Sequence, residues 1–199
     1  MDTEEIIEKP LTSFPQIKKK PTVKEEIISW IKTIVVVFII VFIINTFVFR
    51  MVAVQGRSML PTLSDGDRII VWQLFYTPGF SDIIVFEHYD GYLHVKRILG
   101  TPGDRVDYLN GDLVVNGNII EEPYTPNEHS RNSFMFEDVC NIRGDFDDCS
   151  VIPEGYFLVL GDNRNGSGDS REYGLIHESQ IMGRATLRFL PFSDFGIVE

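Results

Sequence analysis

Two residues of this chain can act together as a nucleophile and a base, although they lie far apart in the sequence. Ser58 stands in the segment GRSMLPTL, where Gly56 permits close approach of the backbone and Pro61 prevents a helix from continuing. Lys96 stands in YLHVKRIL, whose composition predicts a β-strand. A serine hydroxyl attacks once a base removes its proton, and a lysine is such a base when burial keeps its amine neutral.

Each of these residues alone also fits an ordinary structural role. Most loop serines cap a turn, and most strand lysines are solvated. A period of two places Lys96 and Arg97 on opposite faces of the predicted strand. The usual alternative base for a serine is a histidine. None of the four histidines occupies a motif that supports this role: His88, His94, His129 and His177.

A third segment rich in glycine and charge, GDNRNGSGDSREYG, covers residues 161–174 and follows the predicted strand YFLVL. Glycine, asparagine and aspartate favour turns, so the segment alone indicates a turn-rich or anion-binding loop. Its function depends on what the fold places beside it.

The N-terminal part of the chain contains an apolar run. Residues 33–49 carry no charge, and apolar residues extend the run upstream to about the 20 residues that a bilayer span needs. We therefore predict a transmembrane helix over residues 28–49, after a tail over residues 1–27. The lysines that precede the run outnumber the arginines that closely follow it, so the positive-inside rule predicts a cytoplasmic N-terminus. These residues are Lys18, Lys19, Lys20, Lys24 and Lys32 before the run, and Arg50 and Arg57 after it.

Two alternatives to a membrane anchor are disfavoured by the composition of the run and its flanks. A cleavable signal peptide is disfavoured because the preceding segment is long and of mixed charge, and no small-x-small pattern follows the run. A buried core helix is disfavoured because the run is apolar on every side. An extracytoplasmic domain over residues 50–199 is therefore expected.

This domain is predicted to be rich in β-strands. Short runs of β-formers alternate with turn residues, and the Asn-Gly pairs at residues 110–111 and 116–117 are strong hairpin signals. Residues 121–152 lack periodicity and are predicted to form a surface excursion. With 12 basic and 23 acidic residues, the domain repels nucleic acid, which is therefore not expected as a partner.

The two cysteines, Cys140 and Cys149, bracket the polar segment NIRGDFDD. Outside the cytoplasm such a pair can form a disulfide, and two separate thiols are the alternative. No cluster of cysteine and histidine has the spacing of metal ligands, so no metal site is expected.

Taken together, four segments resemble the type I signal peptidases, the membrane-anchored serine proteases of peptidase family S26 that remove signal peptides from exported proteins. The segments occur in the family's order behind an anchor, and the resemblance extends over most of residues 50–190. It implies a mainly antiparallel β catalytic domain on the outer side of the plasma membrane, without a cofactor. The four segments are residues 58–63, 67–71, 96–104 and 161–174.

The resemblance also implies roles for individual residues. Ser58 would attack the scissile carbonyl to form an acyl-enzyme, with Lys96 as the base, and Ser167 would orient Lys96 by a hydrogen bond. Many members have a serine two residues before the nucleophile as an oxyanion donor, whereas this chain has Gly56. The Ser58 N–H remains as one donor, and the second is open between another backbone N–H and a water molecule. The charged residues that would brace the site are Asp162, Arg97, Asp169 and Arg171.

Substrate binding in this family implies two further surfaces. The residues before the cleavage site bind as an extended strand, and small side chains at the first and third positions enter shallow apolar pockets. The candidates for these pockets are Val54, Met59, Leu63 and Val95, with core packing as the alternative. The domain would also meet the lipid bilayer through exposed aromatic side chains, for which the candidates are Phe75, Tyr76 and Phe80.

The expected function is therefore an endopeptidase that removes N-terminal signal peptides from exported preproteins after small-x-small sites. One alternative is a Ser/Lys protease that trims a narrow set of proteins. Another is a catalytically idle, membrane-tethered β module that binds exported peptides. Such a module would need neither Ser58 nor Lys96, so the presence of both favours the enzyme.

Overall fold

The structure, a computed structural model, describes residues 22–125 and 133–199. The chain divides into two compact units, Met1–Val41 and Phe42–Glu199. Most of the predicted tail, including its three consecutive lysines at residues 18–20, lies outside the described residues, as does His129.

The helix α1 spans Val23–Phe47, which is 25 residues or about 37 Å of helix. Within Val23–Ile44, a stretch of 18 residues has a mean hydropathy of 2.9, and none of that stretch is buried. This length and composition are compatible with a single membrane anchor. The predicted bounds of residues 28–49 differ from those observed at both ends: Val23 to Ile27 are helical, and Phe49 belongs to the first strand, where it pairs with Trp72.

The second unit is mainly antiparallel β-sheet, as predicted. The strands of the larger sheet are β1 (Phe49–Ala53), β2 (Arg68–Trp72), β3 (Ile83–Glu87), β4 (Leu93–Gly100), β8 (Tyr156–Leu160), β9 (Ile176–His177), β10 (Ile181–Leu190) and β11 (Gly196–Ile197). In the described part of the chain, their order in this sheet is β1-β2-β10-β3-β4-β8-β9, with β11 added beside β10.

A smaller sheet consists of three strands that are consecutive in the chain: β5 (Val106–Leu109), β6 (Asp112–Val115) and β7 (Asn118–Ile120). Both predicted Asn-Gly turns connect them. Asn110 and Asn116 have φ values of 54° and 52°, and the glycine that follows each is also at positive φ. These backbone angles match the right-handed twist of the flanking strands, and the hairpin prediction is confirmed.

Part of the predicted surface excursion is packed into the core, so that prediction is wrong for these residues. A short helix, α2 (Phe136–Cys140), buries Phe136 and Val139 against the smaller sheet, and Ile152 is buried in the same cluster. Cys140 and Cys149 form a disulfide with a Cα–Cα distance of 5.8 Å. Closing so short a loop contributes about 2.5 kcal/mol in the chain-entropy model.

The strand β4 is buried on both of its faces from Val95 to Gly100, because core clusters lie on either side of it. Ile98 packs in one cluster with β3 and β8, and Leu99 packs in another with the smaller sheet. A lysine and an arginine therefore enter the protein interior on opposite faces of one strand. A second short helix, α3 (Ser170–Tyr173), follows the glycine-rich loop after β8.

Candidate active site

Ser58 and Lys96 meet in the structure. The Nζ atom of Lys96 lies 2.9 Å from Oγ of Ser58 and 3.1 Å from the carbonyl oxygen of Val95. Lys96 is held by the register of β4 against β3, where it pairs with Ile84, and only 3% of its surface is exposed. Ser58 is half-buried in the loop between β1 and β2. The predicted nucleophile and base are therefore within hydrogen-bonding distance.

Burial changes the protonation of Lys96. Loss of hydration lowers the pKa of its amine to about 8, and the charges of Asp169 and Asp162 partly oppose this shift. With such a pKa, about one amine in ten is neutral at pH 7, and most are neutral at pH 9. A neutral amine beside a hydroxyl can accept its proton, so this pair has the chemistry of a nucleophile and its base.

The loop that carries Ser58 is fixed by its backbone. Gly56 has a φ of +86°, which a residue with a side chain rarely adopts, and its N–H donates to Asp65 at 2.8 Å. No atom lies within 4 Å of where its Cβ would be. Glycine is therefore required here by the positive φ, and not by the close approach of the backbone that the sequence predicted. Among the hydrogen bonds between described residues, none uses the N–H of Ser58.

The loop between β8 and α3, residues 161–169, holds the nucleophile from the other side, and we call it the catalytic loop. The N–H of Asn163 donates to the carbonyl oxygen of Ser58 at 3.0 Å, and its side-chain amide donates to that of Arg57 at 3.0 Å. Asn163 was missed from the sequence alone, because asparagine in a turn-rich loop has an ordinary local role.

Gly161 is required by close approach. A Cβ at this position would lie 2.5 Å from the carbonyl oxygen of Ser58 and closer still to Oγ of Ser167. The catalytic loop can therefore pack against the backbone of the nucleophile only because this residue lacks a side chain.

The four predicted bracing residues form two ion pairs. Arg97 binds Asp162 through two parallel hydrogen bonds of 2.9 and 2.8 Å, and at most 1% of either side chain is exposed. Thr62, in the loop of Ser58, also donates to Asp162. Arg171 binds Asp169 through two hydrogen bonds of 2.7 Å, and Asp169 accepts the N–H of Gly161 at 3.0 Å. These pairs fix the strand and the two loops relative to one another.

Ser167 is placed beside the dyad but does not make the predicted hydrogen bond to Lys96. Within the described residues, Nζ of Lys96 has the two partners given above, and Oγ of Ser167 points to the carbonyl oxygen of Gly168 at 3.5 Å. The physical reason is the orientation of the hydroxyl, which turns toward its own loop while the side chain packs at Gly161.

A cleft of about 790 Å³ opens over Ser58 and Lys96. It is bounded by β1 and β4, although three strands separate them in the sheet order, so the sheet curves around the cleft. β1 is an edge strand of this sheet, and an edge strand can pair with an extended peptide. The lining residues are 50–58, Asp90, 92–96, Gly166 and Gly168.

The four candidate pocket residues separate into two groups. Val54 and Val95 line the cleft. Met59 and Leu63 are fully buried in the core cluster behind it and are not among the lining residues. Val52, Ala53 and Leu93 line the cleft and were missed, because alternation in a sequence does not show which strands face each other across a cleft.

The arrangement is suited to acyl transfer. A hydroxyl with a neutral amine at hydrogen-bonding distance and a nearby backbone N–H can attack a carbonyl and stabilise the resulting oxyanion. The adjoining edge strand can hold an extended peptide across these groups.

Comparison with known proteins identifies a matching family and similar chains. The family model "Signal peptidase, peptidase S26" matches residues 27–190. Signal peptidase IB of Staphylococcus aureus (strain COL) is 41% identical over 182 residues, which cover 86% of this chain and 94% of that protein. Signal peptidase I P of Bacillus subtilis subsp. natto is 39% identical over 183 residues, covering 89% and 95%. A crystal structure of a signal peptidase I from Enterococcus faecalis V583 is 32% identical, covers 56% of this chain and 98% of that chain, and has a TM-score of 0.48.

The substitution Gly161→Ala tests the packing of the catalytic loop. Its methyl group would collide with the backbone of Ser58, so we expect acylation of Ser58 by a serine-directed reagent to slow by at least about tenfold. Mass spectrometry of the intact protein measures this rate. Gly196→Ala is the matched control, because nothing lies within 4 Å of its Cβ, and it should react like the unaltered protein. Equal rates for both variants would contradict the packing described.

Proposed function

This chain belongs to the signal peptidase family, peptidase S26, and we propose that Ser58 and Lys96 are the residues with which it cleaves its substrates. The enzyme is a serine-type endopeptidase that removes signal peptides from exported preproteins. The observation that carries the proposal is the 2.9 Å contact between the buried amine of Lys96 and the hydroxyl of Ser58.

The reaction follows from this contact. Neutral Lys96 takes the proton of Ser58 while the serine oxygen attacks the carbonyl carbon of the scissile bond. The N–H of Ser58 donates to the oxyanion that forms. As the C–N bond breaks, the ammonium of Lys96 gives its proton to the leaving amine, and an acyl-enzyme remains. Lys96 then takes a proton from water, whose oxygen attacks the ester, and returns this proton to Ser58 as the signal peptide is released.

We assign substrate binding to the cleft and the edge strand. The residues before the scissile bond add to β1 as an extended strand, so backbone hydrogen bonds hold them. Val54 and Val95 contribute apolar surface beside the dyad, which suits small side chains at the first and third positions before the cut. Met59 and Leu63 support these walls from the core behind them.

The bracing residues keep their proposed supporting roles. The Arg97–Asp162 pair fixes β4 to the catalytic loop, and the Arg171–Asp169 pair fixes that loop at Gly161. Ser167 supports the site by packing at Gly161, where its side chain lies close to the backbone of the catalytic loop.

The proposed location is the plasma membrane. α1 serves as a single-pass anchor with a cytoplasmic N-terminus, and residues 50–199 form the extracytoplasmic catalytic domain. Contact with the bilayer is supported by apolar residues that neighbour one another across β1, β2, β10 and β11 and include Met51 and Ile197, which are 59% and 75% exposed. Phe75 and Phe80 are also exposed, whereas the hydroxyl of Tyr76 is bound to Asp82, so Tyr76 is less suited to lipid contact.

Cleavage of a preprotein with an Ala-x-Ala site tests the dyad. Ser58→Ala and Lys96→Ala should each lower kcat/KM by more than about 10³-fold, because one removes the nucleophile and the other its base. The N-terminus of the product should follow the last Ala. Ser64→Ala changes an exposed serine of the same loop and should retain activity. If folded unaltered protein binds the preprotein without cutting it, the idle binding module becomes the better description.

The pH dependence tests the role of the lysine amine. The base is active when deprotonated, so kcat/KM should rise with pH and reach half of its maximum near pH 8, which is the pKa of Lys96. Initial rates on a peptide spanning the cleavage site, measured from pH 6 to 10 in one mixed buffer, give this profile. A flat profile, or a rate that still rises tenfold per pH unit up to pH 9, as an ordinary lysine pKa of 10.5 would give, would count against a buried amine as the base.

A further inference from the structure

A short segment after β7 contacts Arg97, which follows Lys96 in β4, and Arg164, which lies in the catalytic loop. Glu122 and Tyr124 lie in a turn in which the N–H and the hydroxyl of Thr125 both donate to the carbonyl oxygen of Glu122. We call Glu122 and Tyr124 the clasp. Neither residue lies in a segment whose sequence pattern points to catalysis.

Glu122 holds the catalytic loop through Arg164. The guanidinium of Arg164 binds both carboxylate oxygens of Glu122, at 3.0 and 2.5 Å, and the two side chains are only 4% and 7% exposed. The Nε atom of Arg164 also donates to the carbonyl oxygen of Gly161 at 3.0 Å. Because Gly161 packs against the backbone of Ser58, this chain of contacts runs from Glu122 to the nucleophile.

Tyr124 contacts the residue beside the base. Cζ of Arg97 lies 3.8 Å from the centroid of the Tyr124 ring, which is the geometry of a cation–π contact. The guanidinium of Arg97 thus has the ring on its face while its edge binds Asp162. The hydroxyl of Tyr124 donates to Glu122 at 3.2 Å, which joins the two halves of the clasp.

We propose that Glu122 and Tyr124 are positioning residues, through which the three-stranded sheet holds Arg97 and Arg164, and with them the two catalytic elements, in their reactive arrangement. This inference rests on the proposed function. It assigns the smaller sheet a part in the rate of the reaction in addition to its part in stability.

The charges of this region explain how Glu122 keeps Arg164, and with it the catalytic loop, in place. Arg97 and Arg171 are each paired with an aspartate, so Arg164 depends on Glu122 for its carboxylate partner. Without that carboxylate, a buried guanidinium would have to move toward water or toward another acid. Either movement would release the hydrogen bond to Gly161 and displace the loop that supports Ser58.

The test is steady-state cleavage of a preprotein by the full chain in detergent. Glu122→Gln should lower kcat by about 10- to 100-fold and change KM by less than about twofold, because the dyad is displaced while β1, to which the substrate strand adds, is unaltered. Tyr124→Leu, which removes the ring from Arg97, should lower kcat by about tenfold. Glu122→Asp keeps the charge and should recover part of the rate. The control Glu137→Gln removes a bidentate pair with Arg105 that makes no contact with the catalytic loop, and it should leave kcat within about twofold.

The variant Val115→Ala serves as a control that lowers stability without affecting the position of the catalytic residues. Val115 is buried in the apolar core beside the smaller sheet and has no polar group that could bind either arginine, so this variant should lower the Tm without lowering kcat at 25 °C. The proposal is overturned if folded Glu122→Gln has a lower Tm and an unchanged kcat, as expected of Val115→Ala. If Glu122→Gln does not fold, Tyr124→Leu, which removes the ring from Arg97, is judged by the same criterion.

Unaltered protein and Ser58→Ala are measured beside these variants. Cleavage by Ser58→Ala at the unaltered rate would refute the proposed dyad. An unchanged kcat in the clasp variants, with Ser58→Ala inactive, would refute the positioning role alone.

Discussion

The site depends on removing one lysine amine from water beside a serine hydroxyl. Burial disfavours the ammonium and lowers the pKa of Lys96 to about 8, so a neutral base is available at mild pH. Asp162 and Asp169 work against this effect, yet both carboxylates are needed to join strand and loop. Their arginine partners resolve the conflict, because each paired carboxylate has its charge balanced close by. The ion pairs therefore hold the architecture while the pKa of Lys96 stays well below the ordinary lysine value.

The fold makes this burial possible through β4 and through one glycine. Both faces of β4 are covered, so Lys96 and Arg97 can each be buried on a separate side of the strand. Gly161 then lets the loop after β8 lie directly on the backbone of Ser58. Residues separated by about a hundred positions in the sequence thus form one site, and its precision comes from backbone contact. Sites that are built on packed secondary elements hold their reacting groups more precisely than sites on mobile loops do.

The local pattern of residues in the sequence predicted a large part of this arrangement. Ser58 and Lys96 were recognised from the motifs around them, Arg97 was placed opposite Lys96 by strand alternation, and both Asn-Gly turns followed from backbone chemistry. The end of α1 was misplaced because hydropathy does not show that Phe49 pairs with Trp72. Asn163, Glu122 and Tyr124 were missed for a related reason: their roles arise from partners distant in sequence, and nothing in their own neighbourhood distinguishes them.

The most direct test of the lysine as base is the protonation of Lys96 itself. NMR of the full chain in detergent, with isotope-labelled lysine side chains, can follow each lysine during a pH titration, and Lys96→Arg identifies the signal of Lys96. We expect this amine to titrate near pH 8, well below the ordinary lysine value of 10.5. A Lys96 signal that titrates near 10.5 would show an ordinary ammonium beside Ser58 and would contradict the lysine as base.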